Sequence, residues 1–571
     1  MNSKFLLFLY SFFHLTNHVL AQELPQLNKP HNEESKEIKP LPTLEEILPE
    51  DLSNPQEQSP WEAIPGKITV SQFQVIGSTV FTEEQFSEIL QNYLNKAISF
   101  AELIEVQNQI TKLYQDKGYV TSGAFIPIQV INDGIVKVQV IEGRLEAIEI
   151  EGLKHLNPEY IRSRIAISSQ APLNQDKLLK ALQLLQVNPL IDTISAELTT
   201  GNLPGTSILN IIISETNPFH ATVVYDNYRS PSVGSNRLLG EISHDNLLGW
   251  GDRFNISYYH TEGSYSLDNL SYTFPINPYN GTLNASFRLT NSQVIEPEIF
   301  KPLDLESKYR QYELTYRQPI IQSADEELAL GIAVDWQTNS NFLTGKPFPL
   351  SRGADNEGKT RILVLRFFQE YTHQTEKDAL FARSQFSFGL NAFGATNNTD
   401  EPDSQFIGWR GQVQYLNLLT PDVMLLLRSD IQLANQALLP IEQFGLGGIY
   451  TVRGYEQDVL LADNGWFASA ELRTNILKIP QWDTTLQLSP FFDFGMVWNN
   501  DNISLDKNNL ASVGLGLRLL VDDKFTARFK NLFQTLTLLI FFALLLVLLV
   551  YFVESLILDL AKIPEWLFFC V

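Results

Sequence analysis

The stretch GTLNASFRLT, residues 281–290, sets apolar Leu283, Ala285, Phe287 and Leu289 against polar Thr282, Asn284, Ser286, Arg288 and Thr290. A period of two is that of a β-strand whose two faces meet different surroundings. Similar runs lie on both sides: Ala221 to Tyr228, Leu238 to Asn246, Asp252 to Tyr259 and Ser266 to Phe274 precede it. Tyr309 to Tyr316, Glu327 to Thr338, Arg361 to Tyr371, Leu380 to Gly389 and Gln405 to Leu418 follow. Polar connections such as Ala392 to Ser404 separate many of them and no covering helices intervene, so antiparallel pairing is expected.

The first residues set the compartment. Lys4 is followed by the largely apolar run Phe5 to Phe13 and then by Val19, Leu20 and Ala21, which fits a secretory signal peptide over residues 1–21. For an exported chain with no long apolar helix in the alternating region, a closed transmembrane barrel satisfies every strand's backbone. The rival is a large soluble β-fold, a propeller or solenoid. About 310 residues from Pro218 onward would allow roughly 14 to 16 strands at about 20 residues per strand and loop.

The whole chain has 571 residues, too many for a single core. Its 65 acidic and 41 basic residues give a formal charge of -24, so no basic footprint for nucleic acid is present. The single cysteine, Cys570, excludes an intrachain disulfide. The eight histidines are scattered without a metal-ligand grouping, Ser512-Val513-Gly514 reads as strand, and no Walker motif is found. No catalytic residues, metal, cofactor or nucleotide are therefore expected.

Residues 22–66 combine prolines with carboxylates, for example Pro40, Pro42, Glu45, Glu46 and Pro49, and read as an extended acidic linker. Between this linker and the alternating region, one unit appears twice. Residues 67–143 predict a strand from Ile68 to Val75, a helix capped by Thr82, a second helix from Phe100 to Gly118, and strands Phe125 to Val130 and Ile135 to Glu142. Residues 144–217 repeat the order β, α, α, β, β, with helices Asn157 to Arg164 and Asn174 to Leu185. The final strand of each unit, Val136 to Val140 and Ile208 to Ile213, is either an edge open to an added peptide strand or internal.

Several clusters resemble the two-partner secretion transporters of the outer membrane, the hemolysin secretion/activation proteins within the barrel-assembly superfamily. Gly77-Ser78-Thr79-Val80-Phe81, Gly118-Tyr119-Val120-Thr121, Ile126-Pro127 and Ile141-Glu142-Gly143-Arg144 resemble that family's first polypeptide-transport-associated (POTRA) domain. Pro172-Leu173-Asn174 and Asn188-Pro189-Leu190 resemble its second. Asp226-Asn227, and Asn246-Leu247-Leu248-Gly249 with Asp252, resemble the start of its barrel. Val452-Arg453-Gly454-Tyr455 resembles the tip of a loop folded into the barrel lumen, and Phe491-Phe492-Asp493-Phe494-Gly495 the inner-wall motif whose aspartate pairs with the loop arginine.

The resemblance implies two periplasmic α+β POTRA domains before a 16-stranded transmembrane barrel over residues 218–530. It also implies an outer-membrane location and translocation of an unfolded, large, β-helical secreted partner, without nucleotide. In that family an N-terminal helix plugs the channel, and only Leu41 to Leu52 offers one here. A barrel-assembly factor and a passive porin are the alternative functions.

The pattern fails near the C-terminus. After Lys530, Asn531 to Val553 carries no charge, and Leu538 to Val550 has no polar side chain. Residues 531–571 thus form an anomalous hydrophobic tail where the last strands are expected, and the barrel is expected to be incomplete. A frameshifted or truncated, non-functional transporter, a true helical extension, and unusually apolar strands all remain open.

Overall fold

Alternation decides which backbone segments pair, and the computed structural model describes residues 67–399, 402–501, 505–522 and 524–533. The signal peptide, the linker with its Leu41 to Leu52 segment, and the tail beyond Phe533 lie outside the described residues. Two units are present: residues 67–218 together with Asp245–Asp252, and the rest.

The N-terminal unit begins with β1 (Lys67–Val70) and β2 (Gln72–Ile76), then α1 (Glu83–Leu90), β3 (Lys96–Ser99), α2 (Phe100–Asp116), β4 (Gly123–Phe125) and β5 (Ile135–Ile141). The strand expected over Ile68 to Val75 is broken at Ser71, whose N–H donates to the Gly134 carbonyl at 2.9 Å. The two pieces join different sheets: β1 pairs with β3, while the second sheet runs β2-β5-β4. Ser99 accepts from the Glu102 N–H and Glu102 accepts from the Ser99 N–H, so this capping box starts α2. Leu103, Val106, Ile110 and Tyr114 of α2 then bury against Val136, Val138 and Val140 of β5.

The second module repeats the plan with β6 (Arg144–Glu151), α3 (Pro158–Ser168), α4 (Gln175–Gln186), β7 (Ile191–Thr200) and β8 (Thr206–Glu215) in the order β6-β8-β7. In both modules the last strand is therefore central, which excludes the edge reading. The two copies also share a joint. Gly77 and Gly152, at φ +94° and +87°, lie against the carbonyls of Val140 and Ile213, where a Cβ would approach to 2.6 and 2.2 Å. A glutamate at the end of each last strand accepts from the loop that follows that strand's parallel partner, β2 or β6. Glu142 binds the Thr79 N–H at 2.7 Å, and Glu215 binds the N–H groups of Lys154 and Leu156 at 2.7 and 3.0 Å. Burial alone would raise the pKa of Glu215, but these donors outweigh it and hold the carboxyl below its ordinary range. The buried Tyr114 hydroxyl donates to Glu142 at 2.9 Å and lies in hydrogen-bond contact with the Ser78 hydroxyl at 2.7 Å, and burial first of all pushes its pKa upward.

The strand expected from Phe125 to Val130 stops at Phe125. Pro127 has no N–H to give to β5. The Gln129 side chain takes over: its Nε2 donates to the Lys137 carbonyl at 2.7 Å and its Oε1 accepts from the Lys137 N–H at 2.8 Å.

The second unit is a large antiparallel sheet. Its strands are β9 (Phe219–Asp226), β10 (Arg237–Asp245), β11 (Arg253–His260), β12 (Ser264–Pro275), β13 (Thr282–Gln293), β14 (Leu305–Gln322), β15 (Glu326–Leu343), β16 (Lys346–Pro347), β17 (Lys359–Gln374) and β18 (Asp378–Leu390). The chain continues through β19 (Ile407–Thr420), β20 (Val423–Ala434), β21 (Phe444–Leu446), β22 (Leu460–Ala462), β23 (Asn464–Ile479), β24 (Thr484–Trp498), β25 (Asn509–Val521) and β26 (Phe525–Phe533). Among the described residues the sheet contains 16 strands, of which the two-residue β16 pairs only with β15 and lies off the main path from β9 to β26. The main path itself counts 15 described strands, and β16 is too short to span a membrane. β26 extends to Phe533, three residues into the stretch read as tail. β21 and β22 pair with each other in a separate hairpin.

Polarity across this sheet is inverted relative to a soluble protein. Asp335, Gln337, Asn339 and Asn341 of β15 are all fully buried, whereas Ile332 and Val334, on the opposite face of the same strand, are 43% and 45% exposed. Tyr312, Leu314 and Tyr316 of β14 are exposed on the same face. Such an apolar outer surface is what hydrocarbon requires.

Two outcomes are expected. Gln129→Ala should speed amide hydrogen exchange at Lys137 about fivefold, the effect of roughly 1 kcal/mol, and unchanged exchange would remove the side-chain pairing from the account. Glu146 accepts from Thr206 Oγ1 at 2.6 Å and from Asn202, which lowers its pKa to about 2. A depressed carboxylate pKa contributes stability above its unfolded value, and this is lost as pH falls toward the folded one. Glu146→Gln should therefore flatten the stability profile of the second module between about pH 4.5 and pH 2, measured by denaturant unfolding.

Candidate functional site: a hairpin seated on the sheet

The segment between β20 and β23 turns back onto the polar face of the sheet as the β21–β22 hairpin. Phe444 and Leu446 point into gaps left by glycine. A Cβ on Gly465 would meet Phe444 at 2.2 Å, and one on Gly495 would meet Leu446 at 2.3 Å. Gly495 thus provides a socket, two residues along the same face from Asp493. Val452 packs with Phe467, Val497 and Leu510 beneath the hairpin.

Arg453 lies at the centre, with a side chain only 2% exposed. Its Nε donates to Asp493 Oδ2 at 2.7 Å and its Nη2 to Asp493 Oδ1 at 2.7 Å, a bidentate fork. The Arg453 backbone N–H also donates to Oδ2, at 3.1 Å. Nη1 donates to Glu471, and Nη2 reaches Ser469 Oγ at 3.1 Å. Glu471 in turn accepts from Arg473 Nε at 2.7 Å. The guanidinium carbon sits 3.5 Å from the centroid of the Phe491 ring. Gly454 takes φ +92°, in the left-handed region that a side chain would strain, and Tyr455 Oη donates to the Ala511 carbonyl at 3.1 Å. Phe492 alternates with Asp493 and so belongs to the opposite face.

The residues resembling a barrel start are placed differently. Asp226 and Arg237 are cross-strand partners in β9 and β10, ion-paired at 2.8 Å, and Asp226 also accepts from the Tyr228 N–H. Asn227 is exposed in the same turn. Asn246, Gly249 and Asp252 build the turn Asp245–Asp252 within the N-terminal unit. Fully buried Asp252 accepts from the Leu248 N–H at 3.0 Å, and Asn246 Oδ1 accepts from the Gly251 N–H at 2.9 Å. Gly249 gives its carbonyl to the Asn157 N–H at 2.7 Å, just before α3. Asn246, Gly249 and Asp252 thus shape this turn.

The sequence reading missed Ser469 and Glu471, because the strand carrying them was not recognised. Their signal was the spacing Ser469, Glu471, Arg473 on one face of β23. Among the described residues, no group of three or more His, Cys, Asp or Glu could hold a metal ion.

A sheet with an apolar outer face and tandem α+β modules ahead of it defines an outer-membrane transport protein with a periplasmic N-terminal region. Residues 205–519 match the family described as haemolysin secretion/activation protein ShlB/FhaC/HecB, and residues 68–143 match the POTRA domain of ShlB type. The chain belongs to this haemolysin secretion/activation family. It is 23% identical over 412 residues to the outer membrane transporter CdiB of Dickeya dadantii, covering 71% of this chain and 72% of that one. It is also 23% identical over 486 residues to the heme/hemopexin transporter protein HuxB of Haemophilus influenzae, covering 79% and 81%. The solved structure of CdiB from Escherichia coli has the same fold, with a TM-score of 0.61 at 20% identity over 85% of this chain and 91% of that chain.

Removing the guanidinium would leave Asp493 buried and uncompensated. Arg453→Ala is expected to lower stability by about 3–5 kcal/mol, and Arg453→Lys, with charge but no fork, to recover only part of this. Thermal unfolding in detergent measures both; full recovery by lysine would rule out the bidentate geometry as the stabilising feature.

Proposed function

We propose that the chain exports an unfolded partner polypeptide through a pore formed by closure of the large sheet, with the two α+β modules capturing the partner in the periplasm. The buried Arg453–Asp493 fork carries this reading. A guanidinium placed on the polar face by a hairpin, not by a strand, gives the interior a movable element fixed by a definable contact. The inverted polarity of the sheet supports the reading of its polar face as a lumen. The transporter names of CdiB and HuxB agree with it.

With the hairpin seated, the fork stabilises the closed state. Passage of the partner requires the hairpin to shift, which exchanges the Arg453 contacts for others. No nucleotide is needed, because folding of the partner outside the cell draws the chain outward. The partner expected is a large, β-helical protein encoded beside this one, and the outward face of the pore is solvated by outer-membrane lipid.

The test is co-expression with that neighbouring protein in a host lacking other such transporters. Surface-exposed partner, measured by protease accessibility on intact cells, should appear with the parent chain and fall to background without it. Arg453→Ala and Asp493→Ala should both reduce secretion. Parental secretion by both variants would take the fork out of the mechanism, and no secretion by the parent chain would favour the truncated, non-functional reading.

A further inference from the structure

The hairpin touches the sheet at a second charged site. Immediately before β21, the single helical turn Pro440–Glu442 brings Glu442 against the strand pair β15–β17. Arg366 Nη2 donates to Glu442 Oε1 at 2.7 Å and Nη1 to Oε2 at 3.2 Å. Gln337 Nε2 donates to Glu442 Oε1 at 3.0 Å. The Arg366 and Glu442 side chains are 5% and 9% exposed. Leu438, Leu439 and Ile441 pack beside them on Ile362, Val364 and Phe406.

This contact is the electrostatic reverse of the one at the tip. There the hairpin gives a cation to wall carboxylates; here it gives a carboxylate to a wall cation. The strands involved are not neighbours, since β18, β19 and β20 lie between β17 and β23 along the sheet. One segment of chain therefore braces two separate parts of the wall.

We propose that Glu442 is a second anchor of the hairpin, a positioning residue whose release from Arg366 is required, together with release of Arg453, for the hairpin to leave the closed position. The inference rests on the reading of the hairpin as the movable element of a pore. The wall is built to survive the release. Arg366 keeps Asp335, whose Oδ2 it binds at 3.0 Å, and it keeps Ser387 at 2.9 Å. Loss of Glu442 thus leaves no orphaned buried charge in the wall, so a neutral isostere at this position weakens the anchor without unfolding the sheet.

The experiment is single-channel recording in planar bilayers with full-length parent, Glu442→Gln, Asp493→Asn and the double variant, each first shown to unfold thermally as a single species. Glu442→Gln should raise the open-to-closed ratio roughly tenfold at unchanged open conductance, as expected for lost hydrogen bonds to a charged group. The double variant should show the product of the two single effects, because both contacts break in one transition. Parental gating by Glu442→Gln, with Asp493→Asn still opening more often, would overturn the second anchor and leave the movable hairpin intact. Parental gating by both variants would overturn the movable hairpin as well. A merely structural role for Glu442 predicts a lower unfolding temperature with unchanged gating, and that result also sinks the proposal.

Discussion

Backbone amides that cross hydrocarbon have no water to bond, so each must find another strand, and the rest of this protein follows from that demand. Long antiparallel ladders result, of which the β14–β15 register from Leu305↔Leu343 to Gln322↔Glu327 is an example. Pleating then forces alternate side chains to opposite faces, and lipid claims the apolar set. Polar and charged side chains are left to one another on the inner face. A charge left single and dry there is costly, and three arginines of that face are each held by a carboxylate: Arg366 with Asp335, Arg410 with Asp430, and Arg453 with Asp493.

The tandem modules answer a different problem, that of fixing small sheets in water. Each covers one sheet with two helices and locks the end of its central strand with a glutamate that collects loop N–H groups. The periodicity of the helices made this repeat legible, since Leu178, Leu182 and Leu185 must share a buried face. The shared glutamate joint was not legible from periodicity, because it depends on chain segments far apart in sequence. The Ile126-Pro127 segment misled in an instructive way. Its apolar residues look like strand, but proline removes the donor and an amide side chain restores the lost pairing, leaving Ile128 fully exposed.

In the large sheet, period two predicted most strands to within a few residues, and the exceptions have a physical origin. β20 opens with the apolar run Val423 to Leu427, which hides alternation. β23 carries aromatic Trp466 and Phe467 side by side, although the two residues face opposite sides. The rule that inner positions are polar fails at Phe467 because the hairpin covers it, making a small apolar core inside the sheet. Pairing of Arg453 with Asp493 came from resemblance; its further partners Ser469 and Glu471 needed the register of β23 against β24, where Ser469 stands opposite Asp493.

The same exceptions locate the hairpin's supports. Two groups of buried apolar side chains lie under the hairpin, Phe467, Val497 and Leu510 near the tip and Ile362, Val364 and Phe406 near the base. Each group sits beside one of the two charged contacts. An apolar seat gives adhesion without direction, since any apolar surface satisfies it, whereas an ion pair with hydrogen bonds fixes position and sign. Together they make each support both adhesive and specific, and because the signs are opposite, the base and tip cannot exchange seats. The hairpin is therefore held at two separate points of the sheet, each of which combines an apolar seat with an ion pair.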